Sequence, residues 1–251
     1  MDRFTRRLLL VSLALAGACR TPDAGTPIPP PVPLPAVAAP SLPEESVKPG
    51  INEDFLAADL DVGKFEQRFE TESREVFAHR AKIAGLLGLR PGMRVADVGA
   101  GTGLFVWMFA SKVGDTGKVY AVDIAEGFVQ HIGGQAALRK VTNVVAVQCK
   151  EKSVELPAAS VDLVFACDTY HHFEYPRNTL ASIHAALAPG GELVVVDFIR
   201  IPGVSREWTL NHVRAGQEVV TAEIEAAGFA KVRDEDASFL KENYVMRFRK
   251  K

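Results

Sequence analysis

The nine residues Val95-Ala96-Asp97-Val98-Gly99-Ala100-Gly101-Thr102-Gly103 decide how this chain is read. They begin in a short apolar run, Met93 to Val98, and lead into Thr102 to Lys112, which has helical composition. A run that is apolar on both sides reads as a strand covered on both faces. The alternating glycines allow a tight turn and let a ligand approach the backbone closely. Asp123 stands twenty residues beyond Gly103, at the end of the next apolar run, Val119 to Val122. A carboxylate at that place can accept both hydroxyls of a ribose. Glycine loop, helix start and acidic strand end together point to a nucleoside-containing cofactor.

A dinucleotide would suit a similar loop, but two residues argue against it. Leu104 stands where the pattern GxGxxG needs its third glycine. Asp97, two residues before the first glycine, would repel a pyrophosphate and attract a cationic group instead. An NAD-dependent oxidoreductase is therefore the weaker reading.

Working outward, strands and helices alternate. Thr71 to Leu87 reads as a helix with Thr71 as N-cap, stopped by Gly88 and Arg90-Pro91-Gly92. Ala125 to Lys140, Pro176 to Leu187 and Gln217 to Ala227 are the later helices. Val144 to Val147, Val161 to Ala166 and Leu193 to Phe198 are the later strands. Tyr244 to Phe248 closes the chain as a strand whose basic residues (Arg247, Arg249, Lys250, Lys251) read as the solvated side of a sheet edge. Glu53 to Phe69 predicts one or two short helices, and Ile199 to Arg214 a loop. Such alternation predicts an α/β domain with a mostly parallel sheet and helices on both faces.

The segments VADVGAGTG (Val95 to Gly103), VDI (Val122 to Ile124), LPAASVDLVF (Leu156 to Phe165) and LAPGGELVVVDF (Leu187 to Phe198) resemble class I S-adenosylmethionine (SAM)-dependent methyltransferases. The nearest group is methyltransferase type 11, which includes quinone-biosynthesis C-methyltransferase-like proteins. The resemblance covers about Ala81 to Phe198. It implies a Rossmann-like, doubly wound, mostly parallel seven-stranded sheet with an antiparallel last strand. It implies that Asp97 and the loop Gly99, Ala100, Gly101, Thr102 and Gly103 hold the methionine part of SAM, that Asp123 holds the ribose, and that Ile124 packs on adenine. The strand end at Cys149, Lys150 and Glu151 would meet the adenine edge, with Lys150 where the family often carries an acid.

Ligands in doubly wound sheets sit beyond the carboxyl ends of the strands. The stretch Cys167-Asp168-Thr169-Tyr170-His171-His172-Phe173 follows the fourth predicted strand and should face the transferred methyl. Asp168, Tyr170, His171 and His172 are the candidates to orient or deprotonate an acceptor, and Asp168 also stands near the cofactor. No metal site is expected, because no third ligand is spaced to join the two histidines. Phe65, Phe69 and Phe77 read as core or as a lid.

Ahead of the domain, the first fifty residues are of a different kind. Arg3, Arg6 and Arg7 precede an apolar run from Leu8 to Ala18 that is too short to span a bilayer. Ala16-Gly17-Ala18-Cys19 resembles a lipoprotein cleavage site, so residues 1–19 read as an export signal with a lipidated Cys19. Residues 20–50 are rich in Pro, Ala, Val and Thr and read as an extended tether, with the domain over 51–251. A bacterial envelope location is expected, with the cytoplasm as the alternative. The other two cysteines, Cys149 and Cys167, read as small buried residues. The net charge of −2 gives no footprint for a nucleic acid. The expected acceptor is a small or lipid-like molecule; the expected function is methyl transfer, or, as the alternative, SAM binding without catalysis. The oligomeric state is not encoded in any motif.

Overall fold

A computed structural model describes residues 44–69 and 75–251. Seven strands, β1 (Arg94–Val98), β2 (Lys118–Asp123), β3 (Val144–Gln148), β4 (Val161–Cys167), β5 (Leu187–Phe198), β6 (Phe229–Asp234) and β7 (Asn243–Lys250), form one sheet. Their order is β3-β2-β1-β4-β5-β7-β6. The first five strands pair in parallel, and β7 lies antiparallel between β5 and β6. The helices are α1 (Val62–Phe69), α2 (Glu75–Leu86), α3 (Val106–Val113), α4 (Glu126–Leu138), α5 (Pro176–Ala186), α6 (Glu207–His212) and α7 (Gln217–Ala226). This is the Rossmann-like α/β architecture that the alternating pattern predicts.

Residue alternation along the strands separates two cores. Val95, Val119, Leu163, Phe165 and Val194 face Ile83 of α2 and Phe109 and Val113 of α3. Ala96, Val98, Val122, Val164 and Val195 face Leu180 and Ile183 of α5 and Val220 and Ile224 of α7. Phe105, Phe109 and Phe165 pack ring to ring at 4.9–5.6 Å. Each such buried side chain contributes about 1.5–3 kcal/mol.

Several boundaries differ from the sequence reading. α3 begins at Val106 rather than Thr102. The glycine loop continues as turns through Phe105, and Gly103 at φ 90° is no helical residue. The predicted loop between Ile199 and Arg214 contains α6. Composition also places residues 44–50 in the tether, yet they pack on the domain. α5 has no side-chain cap from its own N-cap residue, Tyr175. Glu44 supplies one, accepting hydrogen bonds from the amides of Arg177 and Asn178 at 2.9 Å. Ser46 and Val47 bond to Glu174. The start of the predicted helix at Thr71, the signal segment with Cys19 and most of the tether lie outside the described residues.

Among the described residues no helix is long and apolar enough to cross a membrane. The expected envelope location through Cys19 is corrected on this ground. What the structure describes is an α/β domain without a spanning helix; Cys19 lies outside it.

The basic C-terminal strand is a second correction. β7 is an interior strand, and Arg247 is buried rather than solvated. Its guanidinium meets Glu192 of β5 and Glu235 after β6, and donates to the Leu86 carbonyl at the end of α2. Against the opposing effect of burial, hydrogen bonds from Arg249 and Arg247 hold Glu192 below its ordinary value. Burial is likewise outweighed at Glu235, by Arg233 and Arg247.

A carboxylate with a depressed folded-state pKa stabilises above its unfolded value, and that stability is lost as pH falls through the folded one. Arg247→Met should therefore cost about 3 kcal/mol at neutral pH by removing the buried cation between two carboxylates, which keep only the more exposed Arg249 and Arg233. Denaturant unfolding should show the deficit shrinking below the ordinary carboxylate range, where both acids take up protons. An equal deficit at every pH would mean that packing, not charge, is what Arg247 supplies.

Candidate active site

A cavity opens beyond the carboxyl ends of β1, β2 and β4. Its floor is the loop after β1. Gly99 (φ 74°) and Ala100 donate to the Val122 carbonyl at 2.8 and 3.1 Å, which folds the loop back across the end of β2. A Cβ at Gly99 would stand 2.2 Å from Thr169 Oγ1, so only glycine fits there. Asp123, the last residue of β2, closes the arrangement. Its carboxylate accepts from the amides of Gly101 at 2.7 Å and Ala125 at 2.9 Å, binding the loop to the strand end.

Asp97 is the other acid of this floor. It is 3% exposed, and its Oδ2 has no hydrogen-bond partner among the described residues. Burial, reinforced by the neighbouring Asp123, pushes its carboxyl up to about 8. Burial also pushes Asp123 up, to about 6, against the pull of its backbone hydrogen bonds. An unpartnered buried carboxyl is costly in isolation and is a ready partner for a cation.

The structure brings most of the sequence candidates to this one cavity. Asp97, Gly99, Ala100, Gly101, Thr102, Asp123, Ile124, Lys150, Glu151, Asp168 and His172 line it. Gly103 does not; it lies against Trp107 and Ile132. Lys150 and Glu151 are both exposed on the rim, with Lys150 paired to Glu155 at 3.0 Å. Cys149 and Cys167 also line the cavity; each is half-buried and packs against one of the two cores.

Two of the four acceptor-side candidates point elsewhere. Tyr170 is fully buried and donates to Glu223 at 2.8 Å, beside the Arg214–Glu223 ion pair. His171 bonds through Nδ1 to buried Asp197 at 2.8 Å. Both are turned inward by the short 3₁₀ turn Tyr170–His172, so the expectation narrows to Asp168 and His172. Asp168 has φ 50° and accepts from Asn243 Nδ2 at 2.7 Å. Burial, then the rings of His171 and His212, push His172 down to about 2.

Sequence reasoning missed several partners. Phe55, Phe65, Phe69 and Phe128 form a ring cluster with centroids 5.3–6.4 Å apart, and three of them (Phe55, Phe69, Phe128) line the cavity. Phe69 had been singled out; Phe55 and Phe128 had not, since they lie 73 residues apart with no periodic link. Phe77 sits apart, under Arg80. Asn52, buried at the cavity wall, donates to the His172 carbonyl at 3.1 Å. α6 brings a third histidine, absent from the local spacing, to the pair: His212 Nε2 lies 3.4 Å from His172 Nε2.

Fold and cavity define a class I, SAM-dependent methyltransferase architecture. A family profile described as a methyltransferase domain matches residues 89–247. The chain belongs to this methyltransferase domain family. It is 35% identical over 120 residues to the ubiquinone/menaquinone biosynthesis C-methyltransferase UbiE of Ectopseudomonas mendocina, covering 47% of this chain and 46% of that one. It is 29% identical over 114 residues to the same enzyme of Cupriavidus taiwanensis, covering 45% and 46%. The chain thus spans about half the length of the curated relatives it matches. The crystal structure of a SAM-dependent methyltransferase from Aquifex aeolicus superposes with a TM-score of 0.65 at 25% identity, covering 75% of this chain and 98% of that one.

The raised pKa of Asp97 has a stability consequence. The folded state holds this proton where the unfolded chain has lost it, so stability falls as pH rises from the ordinary carboxylate value to about 8. Asp97→Asn should raise the melting temperature of the ligand-free protein, with no gain at pH 4 and the largest gain above pH 8. Thermal melts across that range check it; an unchanged or lowered melting temperature at pH 9 would remove the uncompensated acid from the account.

Proposed function

We propose that the protein binds SAM over the glycine loop and transfers its methyl group to a small, largely apolar acceptor. The observation that carries the reading is the buried, unpartnered Oδ2 of Asp97, aligned with the loop and suited to the ammonium of the methionine part. The close-packed backbone at Gly99, Ala100 and Gly101 would accept that part, with Thr102 and Gly103 completing the turn. Asp123 would hold the ribose hydroxyls while keeping its bonds to Gly101 and Ala125. Ile124 would pack on adenine, and Lys150 and Glu151 would meet its edge from the rim.

SAM supplies an electrophilic methyl on a sulfonium, which reacts by in-line displacement. The chain's part is to align the acceptor and exclude water. Phe55, Phe69 and Phe128 present an apolar wall that serves both ends. A base is needed only where the acceptor arrives protonated. His172, pushed down to about 2, is too weak for that role near neutrality, which leaves Asp168, oriented by Asn243. The relatives named above act as C-methyltransferases in ubiquinone and menaquinone biosynthesis. Their similarity, with the aromatic wall, supports an aromatic or lipid-like acceptor for this chain.

The engagement of Tyr170 with Glu223 and of His171 Nδ1 with Asp197, which leaves few acid–base groups facing the cavity, favours a second reading, SAM binding without turnover. Titration calorimetry with SAM and S-adenosylhomocysteine, followed by labelled-methyl transfer to quinol-type acceptors, separates the two. Micromolar binding is expected. Asp123→Ala and Asp97→Asn should each weaken it about 10- to 100-fold, or ~1.4–2.8 kcal/mol. Affinity should rise from pH 6 towards 8, because Asp97 must shed its proton to pair with the ammonium. Binding without label transfer supports the second reading; no binding by folded protein removes both.

A further inference from the structure

We infer that His171, His172 and His212 form a site for a divalent transition-metal ion of the zinc type, at the cavity wall that His172 contributes. One ring nitrogen from each histidine lies within 4.8 Å of the other two. His171 and His172 come from the turn after β4 and His212 from the end of α6, so the grouping exists only in the folded chain. In a tetrahedral zinc site, metal–nitrogen bonds of 2.0–2.1 Å set ligand nitrogens about 3.3 Å apart. His172 Nε2 and His212 Nε2 stand at 3.4 Å, which is that spacing. As an ordinary hydrogen bond the same contact is long.

The surroundings are those of a ligand set rather than of packed core. Asp197, 1% exposed, is fixed by the amides of His171 and Phe198 and takes the Nδ1 hydrogen of His171. That bond selects the tautomer whose Nε2 offers a lone pair, the arrangement by which carboxylates hold metal-binding histidines. Trp208 stacks on the His212 ring at 4.7 Å and 20°, and Phe55 meets His172 edge-on at 5.2 Å. Each ring plane is thus held by a neighbour. His172 Nδ1 is buried, with the Ile51 backbone as the polar group beside the ring. Lys48 and Arg68 are cations near His212, and Lys48 is engaged with the carbonyls of Asn211 and His212.

Three neutral imidazoles suit zinc, copper, nickel or iron over calcium or magnesium, and three protein ligands leave a coordination position for water or another oxygen. Resting on the methyl-transfer reading, that position would take an oxygen of the acceptor, because His172 also lines the cofactor cavity. The ion would then hold a hydroxyl or carbonyl beside the atom to be methylated.

The test is binding of Co²⁺ and Zn²⁺ to the tag-free full chain, stripped with a chelator and containing no SAM. Failure of SAM to bind therefore leaves the result interpretable. One equivalent of Co²⁺ should give visible ligand-field bands that Zn²⁺ abolishes. His212→Ala should remove the bands, Asp197→Asn should weaken affinity about 10- to 100-fold, and His184→Ala, remote on α5, should change nothing. His212 is half-buried on a short surface helix, so its variant is expected to fold, which far-ultraviolet circular dichroism checks. Absence of one-to-one binding tighter than about 100 μM, or equal binding by folded His212→Ala, overturns the site.

Discussion

Asp123 ends β2 and Asp97 stands one residue before the end of β1, in register with Ala121 two positions from Asp123, and both are buried. Burial and the nearness of one carboxyl to the other make it costly to ionise both. The fold answers with unequal treatment. Asp123 spends its oxygens on the amides of Gly101 and Ala125, and so fixes the loop after β1 to the start of α4. Asp97 keeps an oxygen unpartnered among the described residues, facing the same loop. The loop's shape and the cavity above it follow from that division. The cost in folding stability is one a binding site accepts, since a group satisfied only by ligand is also a group that recognises it.

The parallel sheet sets where this happens. Every parallel strand delivers its carboxyl end to the same edge, so residues distant in sequence converge there. What lies over the edge comes from segments with weaker local signatures. Residues 44–50 dock through Glu44 and Lys48, and Glu75 accepts three consecutive amides, Lys241 to Asn243, just before and at the start of β7. These are charged side chains capping backbone ends far along the chain, which joins the amino-terminal helices and the last hairpin to the site.

The acceptor side is correspondingly mixed. Tyr170 and His171 sit in the same five-residue stretch as Asp168 and His172, yet the Tyr170 hydroxyl and His171 Nδ1 are turned to buried partners. Tyr170 belongs to a network with Glu223 and Arg214 that ties the turn to α7. His171 ties it to Asp197 on β5. A 3₁₀ turn has three residues per revolution, so successive side chains leave it in different directions. Chemistry-bearing residues in a row therefore divide between cavity and core.

Local signals were enough for much of this protein. Apolar runs bounded by glycine and proline located the five parallel strands, and the spacing from Gly103 to Asp123 located the cofactor end of the sheet, because both depend on short-range pattern and on a topology with few alternatives. The antiparallel last strand was legible through resemblance. Its interior position was not: Arg247 reads as solvated because alternation reports sidedness, and only partners on β5, after β6 and on α2 convert a charge into a buried residue. The same limit applies to Phe55, Phe128, Asn52 and His212. Each stands alone in its own segment, without period or motif. Their meeting around the cavity is a long-range contact, set by how helices and loops pack over a finished sheet, and that was decided by tertiary structure alone.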